Sequence, residues 1–143
     1  MPEKPLTFLH IEPHSWWREI VATSVAHWRE YRLVGAVATG LEGVEHAMAL
    51  HPQVVLFDSN LSDIDSADLA AALQSMSPAP KLVLLNEEVD AATQAFVERF
   101  HVAGVVRKNT RVSEHLPAAL GEIRAGRTYL PLEFRSASVA HRG

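Results

Sequence analysis

Cysteine is absent from the 143-residue chain. Its absence removes disulfide scaffolds, thiolate zinc sites and cysteine nucleophiles together, and it suits a reducing compartment. No apolar run approaches the roughly 18 residues that a membrane helix needs. The opening residues, Met1, Pro2, Glu3, Lys4 and Pro5, are too polar for a secretory signal. A cytoplasmic protein with no membrane partner is expected. Nor is there a surplus of positive charge: 13 Lys and Arg stand against 17 Asp and Glu, a net charge of −4. Residues 1 to 106 hold 6 bases and 14 acids, whereas residues 107 to 143 hold 7 bases and 3 acids. Binding to nucleic acid begins with neutralised phosphates, so an acidic body with a sparse basic end argues against it. Internal repeats and low-complexity segments are also lacking. What is present, 48% hydrophobic and 21% charged residues, is a globular composition. The length makes one domain with a real core.

Short β-branched apolar runs alternate with longer stretches of helical period. Residues 6–12 read as a strand, followed by a helix from Ser15 with apolar residues at Trp17, Ile20, Val21, Val25 and Trp28. Ser15 is the expected N-cap, with Glu19 close enough to assist. Trp16, adjacent to Trp17, must point away from the core. Residues 32–38 form a second predicted strand, and a helix begins at Gly40 and ends before Pro52. Residues 53–58 are the third and most apolar strand. A loop rich in Asp and Ser leads to a helix over 67–76, stopped by Ser77, Pro78, Ala79 and Pro80. A strand over 81–85, a helix over 91–101, a strand over 104–107 and a helix over 113–125 complete five strand–helix pairs. The alternation predicts the α/β class, a doubly wound five-stranded parallel sheet covered on both faces. Ligands of such sheets gather at the carboxyl ends of the strands, near the point where strand order reverses. Those ends carry Glu12, Pro13 and His14, then Asp58, Ser59 and Asn60, then Asn86, Glu87 and Glu88, and finally Lys108 and Asn109.

An acidic residue closing the first strand, an Asp closing the third, a small polar residue closing the fourth and a Lys closing the fifth resemble the receiver domain of bacterial response regulators. The resemblance covers about residues 5 to 131. Val54 to Asp65 parallels the family's third strand and phosphoacceptor loop in length, and His101 to Lys108 resembles its fifth-strand segment ending in Lys. Ala125 to Pro131 is similar to the end of receivers that precede a LuxR-type helix-turn-helix. The resemblance implies the CheY-like, flavodoxin-like fold in residues 1–131, with 132–143 a C-terminal tail or the start of a linker. Twelve residues after Pro131 are too few for a DNA-binding domain.

In that family an aspartate attacks a phosphoryl group, Mg²⁺ held by carboxylates offsets charge, and a lysine and a hydroxyl hold the phosphoryl oxygens. Carried over by position, Asp58 is the candidate phosphoacceptor, Glu12 an outer metal ligand, Asn60 the residue whose backbone carbonyl touches the metal, and Lys108 the charge partner. Three departures accompany these matches. The second acidic residue, which contacts Mg²⁺ directly, corresponds to Pro13, which has neither carboxylate nor N–H. The switching Ser or Thr corresponds to Asn86, an amide without a hydroxyl, and beside it Glu87 would repel a phosphoryl group. The aromatic switch position is Val105, and the loop's Pro and Gly are Ser62 and Ser66. The Mg²⁺ site of Glu12, Asp58 and Asn60 is therefore expected to be weak or absent.

Rival chemistries fit less well. Asp58, Asn60 and Ser62 mimic the start of an EF-hand loop, but Asp63 and Leu69 stand where that loop needs Gly and Glu. Of the eight histidines only His10 and His14 are near neighbours, so scattered surface histidines are expected rather than a metal cluster. A haloacid-dehalogenase-type phosphatase needs a second carboxylate where Asn60 stands, and a flavodoxin-like carrier needs a phosphate loop after the first strand. The sequence reads as an atypical, non-enzymatic receiver in two-component signalling that controls transcription and is regulated mainly by protein contacts. Its expected partners are a histidine kinase or other signalling protein and a second copy of itself. The alternative is a conventional receiver phosphorylated on Asp58 by a histidine kinase.

Overall fold

A computed structural model describes residues 4–134 of the chain. The expected architecture is present: strands β1 (Leu6–Ile11), β2 (Tyr31–Val37), β3 (Val54–Phe57), β4 (Lys81–Asn86) and β5 (Gly104–Arg107) form one sheet. Its order is β2-β1-β3-β4-β5, and every neighbouring pair is parallel. Helices α1 (Ser15–Val25), α2 (Gly40–Leu50), α3 (Ser66–Gln74), α4 (Ala91–Phe100) and α5 (Val112–Arg124) make the crossovers.

Strand side chains alternate between two apolar layers, as the two-residue strand period requires. Leu9, Ile11, Val55 and Phe57 face α2, α3 and α4, where Ala47, Leu69, Leu73, Val97 and Phe100 close one core. Leu6, Phe8, Val54 and Leu56 face α1 and α5, packing with Val21, Val25, Leu116 and Leu120. At one point α2 lies so close to β1 that a Cβ on Gly43 would fall 2.2 Å from Ile11 Cδ1. Trp17 packs against the second core, and Trp16 is 67% exposed.

Three helices start on side-chain caps: Thr39 accepts from Glu42 N, Asp65 from Ala67 N, and Asp90 forms a capping box with Thr93. The expected cap of α1 does not form. Ser15 lies inside the helix and His14 takes the N-cap position without a side-chain cap bond. The cause is the preceding turn, where Glu12 Oε2 accepts from His14 N at 3.2 Å and brings helical backbone one residue early. After α5 the chain returns to the sheet edge. Tyr129 N donates to Ala103 O at 2.8 Å and Val105 N to Tyr129 O at 2.9 Å. Packing continues past Pro131 to Phe134, which is buried in the first core; the rest of the expected tail, 135–143, lies outside the described residues. Among the described residues no helix is long and apolar enough to cross a membrane.

Candidate functional site

Strand order reverses between β1 and β3, and Ile11 pairs with Phe57 there. Glu12 and Asp58, each one residue further on, therefore leave the sheet side by side. Asn86 ends β4, and Lys108 follows β5, its N–H donating to Asn86 O at 2.8 Å. Glu12, Asp58, Asn86 and Lys108 are all buried; the side chains of Glu12, Asp58 and Lys108 meet, and that of Asn86 bonds to Ser59, beside Asp58.

Lys108 is the centre of the cluster. Its Nζ lies 2.7 Å from Glu12 Oε1 and donates a hydrogen bond to Asp58 Oδ2, with the Trp17 ring centroid 5.9 Å away. Each carboxylate thereby gives one oxygen to the ammonium. The pairing with Glu12 Oε1 has ion-pair distance without hydrogen-bond alignment, so that buried atom is held by charge alone. The other oxygens are used differently. Asp58 Oδ1 accepts from Asn60 N at 2.7 Å, while Glu12 Oε2 lies 2.9 Å from His14 Nδ1. Arg18 donates to the Glu12 carbonyl at 2.6 Å. Asn86 turns its amide to Ser59, accepting from Ser59 N at 3.1 Å and donating to Ser59 Oγ at 2.9 Å.

A cavity opens over this cluster, lined by His14, Asp58, Asn60, Glu87 and Glu88. Glu87 thus shares the mouth with Asp58, where a phosphoryl group would have to enter. Of the two neighbouring histidines, His14 is exposed as expected yet reaches the cluster, whereas His10 departs from the surface role. His14 joins Glu12 and Asp58 in a group whose possible ligand atoms all lie within 4.8 Å of one another. Its pairing depends on the turn that Pro13 makes, and only its place two residues after Glu12 hinted at it. His10 is wholly buried, because it shares the inward parity of Leu6 and Phe8 on a central strand. Both its ring nitrogens lack a hydrogen-bond partner among the described residues, and Nε2 is 4.0 Å from Glu12 Oε1. Burial first, then the charges of Lys108 and Arg18, lower its pKa from 6.5 to about 3. His10 is therefore neutral at physiological pH.

No family model matches the chain. Among curated proteins it is similar to a protein-glutamate methylesterase/protein-glutamine glutaminase of Methanosarcina acetivorans, 25% identical over 97 residues, 68% of this chain and 28% of that one. It is also similar to the nitrate/nitrite response regulator protein NarL of Escherichia coli K12, 27% identical over 94 residues, 64% of this chain and 44% of that one. The chain thus spans less than half the length of these relatives. Among solved structures it resembles the isolated receiver domain of RcsB from Salmonella enterica serovar Typhimurium, with a TM-score of 0.80, 17% identity and coverage of 92% and 97% of the two chains. A LuxR-family two-component response regulator from Aurantimonas sp. SI85-9A1 gives a TM-score of 0.82, 17% identity and coverage of 96% and 98%. The fold is that of a CheY-like receiver, in the form found in LuxR-type regulators.

Proposed function

We propose that this chain, built on the fold of a response-regulator receiver, is a signalling domain of the two-component type that controls transcription through protein contacts rather than through an aspartyl phosphate. The observation that carries this reading is the position of Lys108, whose ammonium already pairs with both Glu12 and Asp58. Asp58 is the proposed phosphoacceptor position, Lys108 its charge partner, and Asn86 the switch position, whose amide is engaged by Ser59. Mg²⁺ needs near-octahedral oxygen ligation and dehydrates reluctantly. Glu12, Asp58 and the Asn60 carbonyl are the oxygens on offer, Pro13 adds none, and the lysine competes for two of them, so these residues fit Mg²⁺ poorly. A carboxylate at Glu87 adds repulsion against an anionic phosphoryl group. The proposed partners are a histidine kinase or another signalling protein, in the cytoplasm, and the likeness to methylesterases covers too little of those proteins to bring a catalytic activity with it.

Acetyl phosphate with Mg²⁺ tests the reading directly. Wild type should not be labelled, whereas Pro13→Asp with Glu87→Ala should be, because the first change adds the missing metal ligand and the second removes the like charge. Adding Asp58→Asn to that pair should abolish labelling. Wild type labelled as readily as the double variant would make this a conventional phosphorylated receiver.

Contact-based regulation also requires a contact surface. The exposed Trp16 on α1 and the segment from Arg107 through α5 are the proposed faces of a symmetric dimer. Sedimentation should show association at micromolar to millimolar protein that Trp16→Ala or Arg111→Glu weakens; a monomer throughout would overturn the dimer.

A further inference from the structure

We infer that residues 128–134 are a displaceable strap, closing the outer edge of β5 until a partner segment of the same chemistry, extended backbone with an acidic and a large apolar side chain, takes their place. The inference deepens the reading above by naming the element that a regulating protein contact would move. β5 ends the sheet order, and an uncovered edge strand is a template for any extended chain. Here the chain after α5 provides the cover, but it pairs at one residue. Tyr129 N donates to Ala103 O at 2.8 Å, and Val105 N donates to Tyr129 O at 2.9 Å. In a parallel ladder the next donor towards β5 would be the N–H of residue 131, and Pro131 has none. The pairing stops there. Beyond it the strap and β5 bound a cavity of about 310 Å³, whose walls include Val106, Arg107, His115, Leu130 and Pro131.

The strap is fastened at its two ends and hinged behind them. At the far end Phe134 is buried in the core that holds Val97, Phe100 and Val105. Next to it Glu133 pairs with Arg107 at 3.0 Å, an ion pair about half-exposed on both sides and so a weak hold. At the near end the Tyr129 hydroxyl lies 2.7 Å from His115 Nδ1. Behind the strap Gly126 adopts φ +82°, with nothing within 4 Å of the place a Cβ would take. Arg127 N donates to Glu122 O at 2.9 Å, and Arg127 Nε donates to the Glu122 carboxylate at 2.6 Å. The chain is thereby fixed to α5 as far as Arg127, which confines motion to 128–134. The outer side of the strap is open, with Leu132 70% exposed. One buried ring and one paired residue hold the strap, whereas continuous ladders hold the sheet, so the strap lifts more easily than the sheet comes apart. Lifting bares the Val105 N–H and the seat of Phe134 together. The strap itself shows what fits there: extended backbone for the edge, an aromatic ring for the seat and a carboxylate for Arg107.

Native-state hydrogen exchange of the intact protein tests the strap. The amides of Tyr129 and Val105, which carry its two backbone bonds, should show equal protection, roughly a hundredfold below that of the amides between β3 and β4. Glu133→Ala, at an exposed position, should lower that protection a few-fold. Phe134→Ala should empty the seat. A free peptide of residues 127–134 should then shift the amide resonances of Val105 and Arg107 in that variant, and wild type should bind it about tenfold more weakly, because its own strap competes. None of these measurements involves phosphate or metal, so acetyl phosphate labelling decides the reading above separately. Val105 and Tyr129 as well protected as the sheet would mean that the segment leaves only when the domain unfolds, and would overturn the strap. Exchange in wild type and Glu133→Ala settles that point even if Phe134→Ala does not fold. Equal peptide binding by wild type and Phe134→Ala, or none by a folded Phe134→Ala, would overturn the replacement by a partner segment.

Discussion

Replacing Lys108 by methionine should lower the unfolding free energy by about 3–5 kcal/mol at neutral pH, the range for removing one partner from a buried ion pair. Methionine keeps an unbranched stem of similar length beside Trp17, so what is lost is the charge and its hydrogen bond to Asp58. Glu12 and Asp58, both buried, then face one another with no ammonium between them. Adding Glu12→Gln to Lys108→Met should restore more than half of the loss, because it removes one of the two opposed charges. Such recovery is a coupling that distant, independent sites do not show. Urea unfolding of the four proteins in the cycle, read by circular dichroism, measures it. A loss under about 1 kcal/mol for Lys108→Met would mean that water screens the carboxylates as it screens surface pairs, and the closed triad would have to be abandoned. A large loss would show that the lysine has become part of the core.

The features legible in the sequence and those hidden from it divide along a physical line. The sheet could be read because Val54 to Phe57 and Leu82 to Leu85 are apolar on both faces, as doubly covered parallel strands are, and alternate with stretches of helical period. Glu12, Asp58, Asn86 and Lys108 could be placed because a parallel sheet brings every carboxyl end to one edge; knowing the strand ends was enough. The cap of α1 was not legible, since His14 reaches that position through a bond from its N–H to Glu12 Oε2, a turn that no local preference for Ser encodes. The pairing of His14 with Glu12 depends on the same turn. The hydrogen bonds of Asn86 to Ser59 join residues 27 apart in sequence, and nothing at either position announces them. His10 was within reach of inference. Its parity with Leu6 and Phe8 on a central strand points it inward, and that period argues against a solvent position for it.

Acidification should destabilise the protein from pH 6.5 downward, and His10 is the cause. Its pKa is lowered to about 3 in the folded chain, by burial and by the charges of Lys108 and Arg18, against an ordinary 6.5. Between those values the unfolded chain binds a proton that the folded chain refuses, so stability falls with pH throughout the window and the loss levels off near its lower end. At 1.36 kcal/mol per unit, this one site removes about 2 kcal/mol by pH 5 and about 5 kcal/mol over the whole window. Asp63 and Asp90 also respond to acid. Their pKa values are lowered from 3.8 mainly by backbone hydrogen bonds from Leu41 and Gly40 and from Thr93, respectively. Stability from a lowered carboxylate is present above the unfolded value and is lost as pH falls below it, so their effect begins under pH 4 and leaves the interval from 6.5 to 4.5 to His10. Replacing His10 by leucine isolates the effect. The variant should match or slightly exceed wild type at pH 8, because two buried nitrogens without partners disappear along with the ring. It should then stay nearly level where wild type declines, opening a gap of about 2 kcal/mol by pH 5. Urea midpoints at half-unit steps from pH 8 to 4.5 supply both curves. Parallel curves over that range would mean that His10 accepts a proton in the folded protein as easily as in water, and the orphaned imidazole behind Glu12 would have to be given a partner.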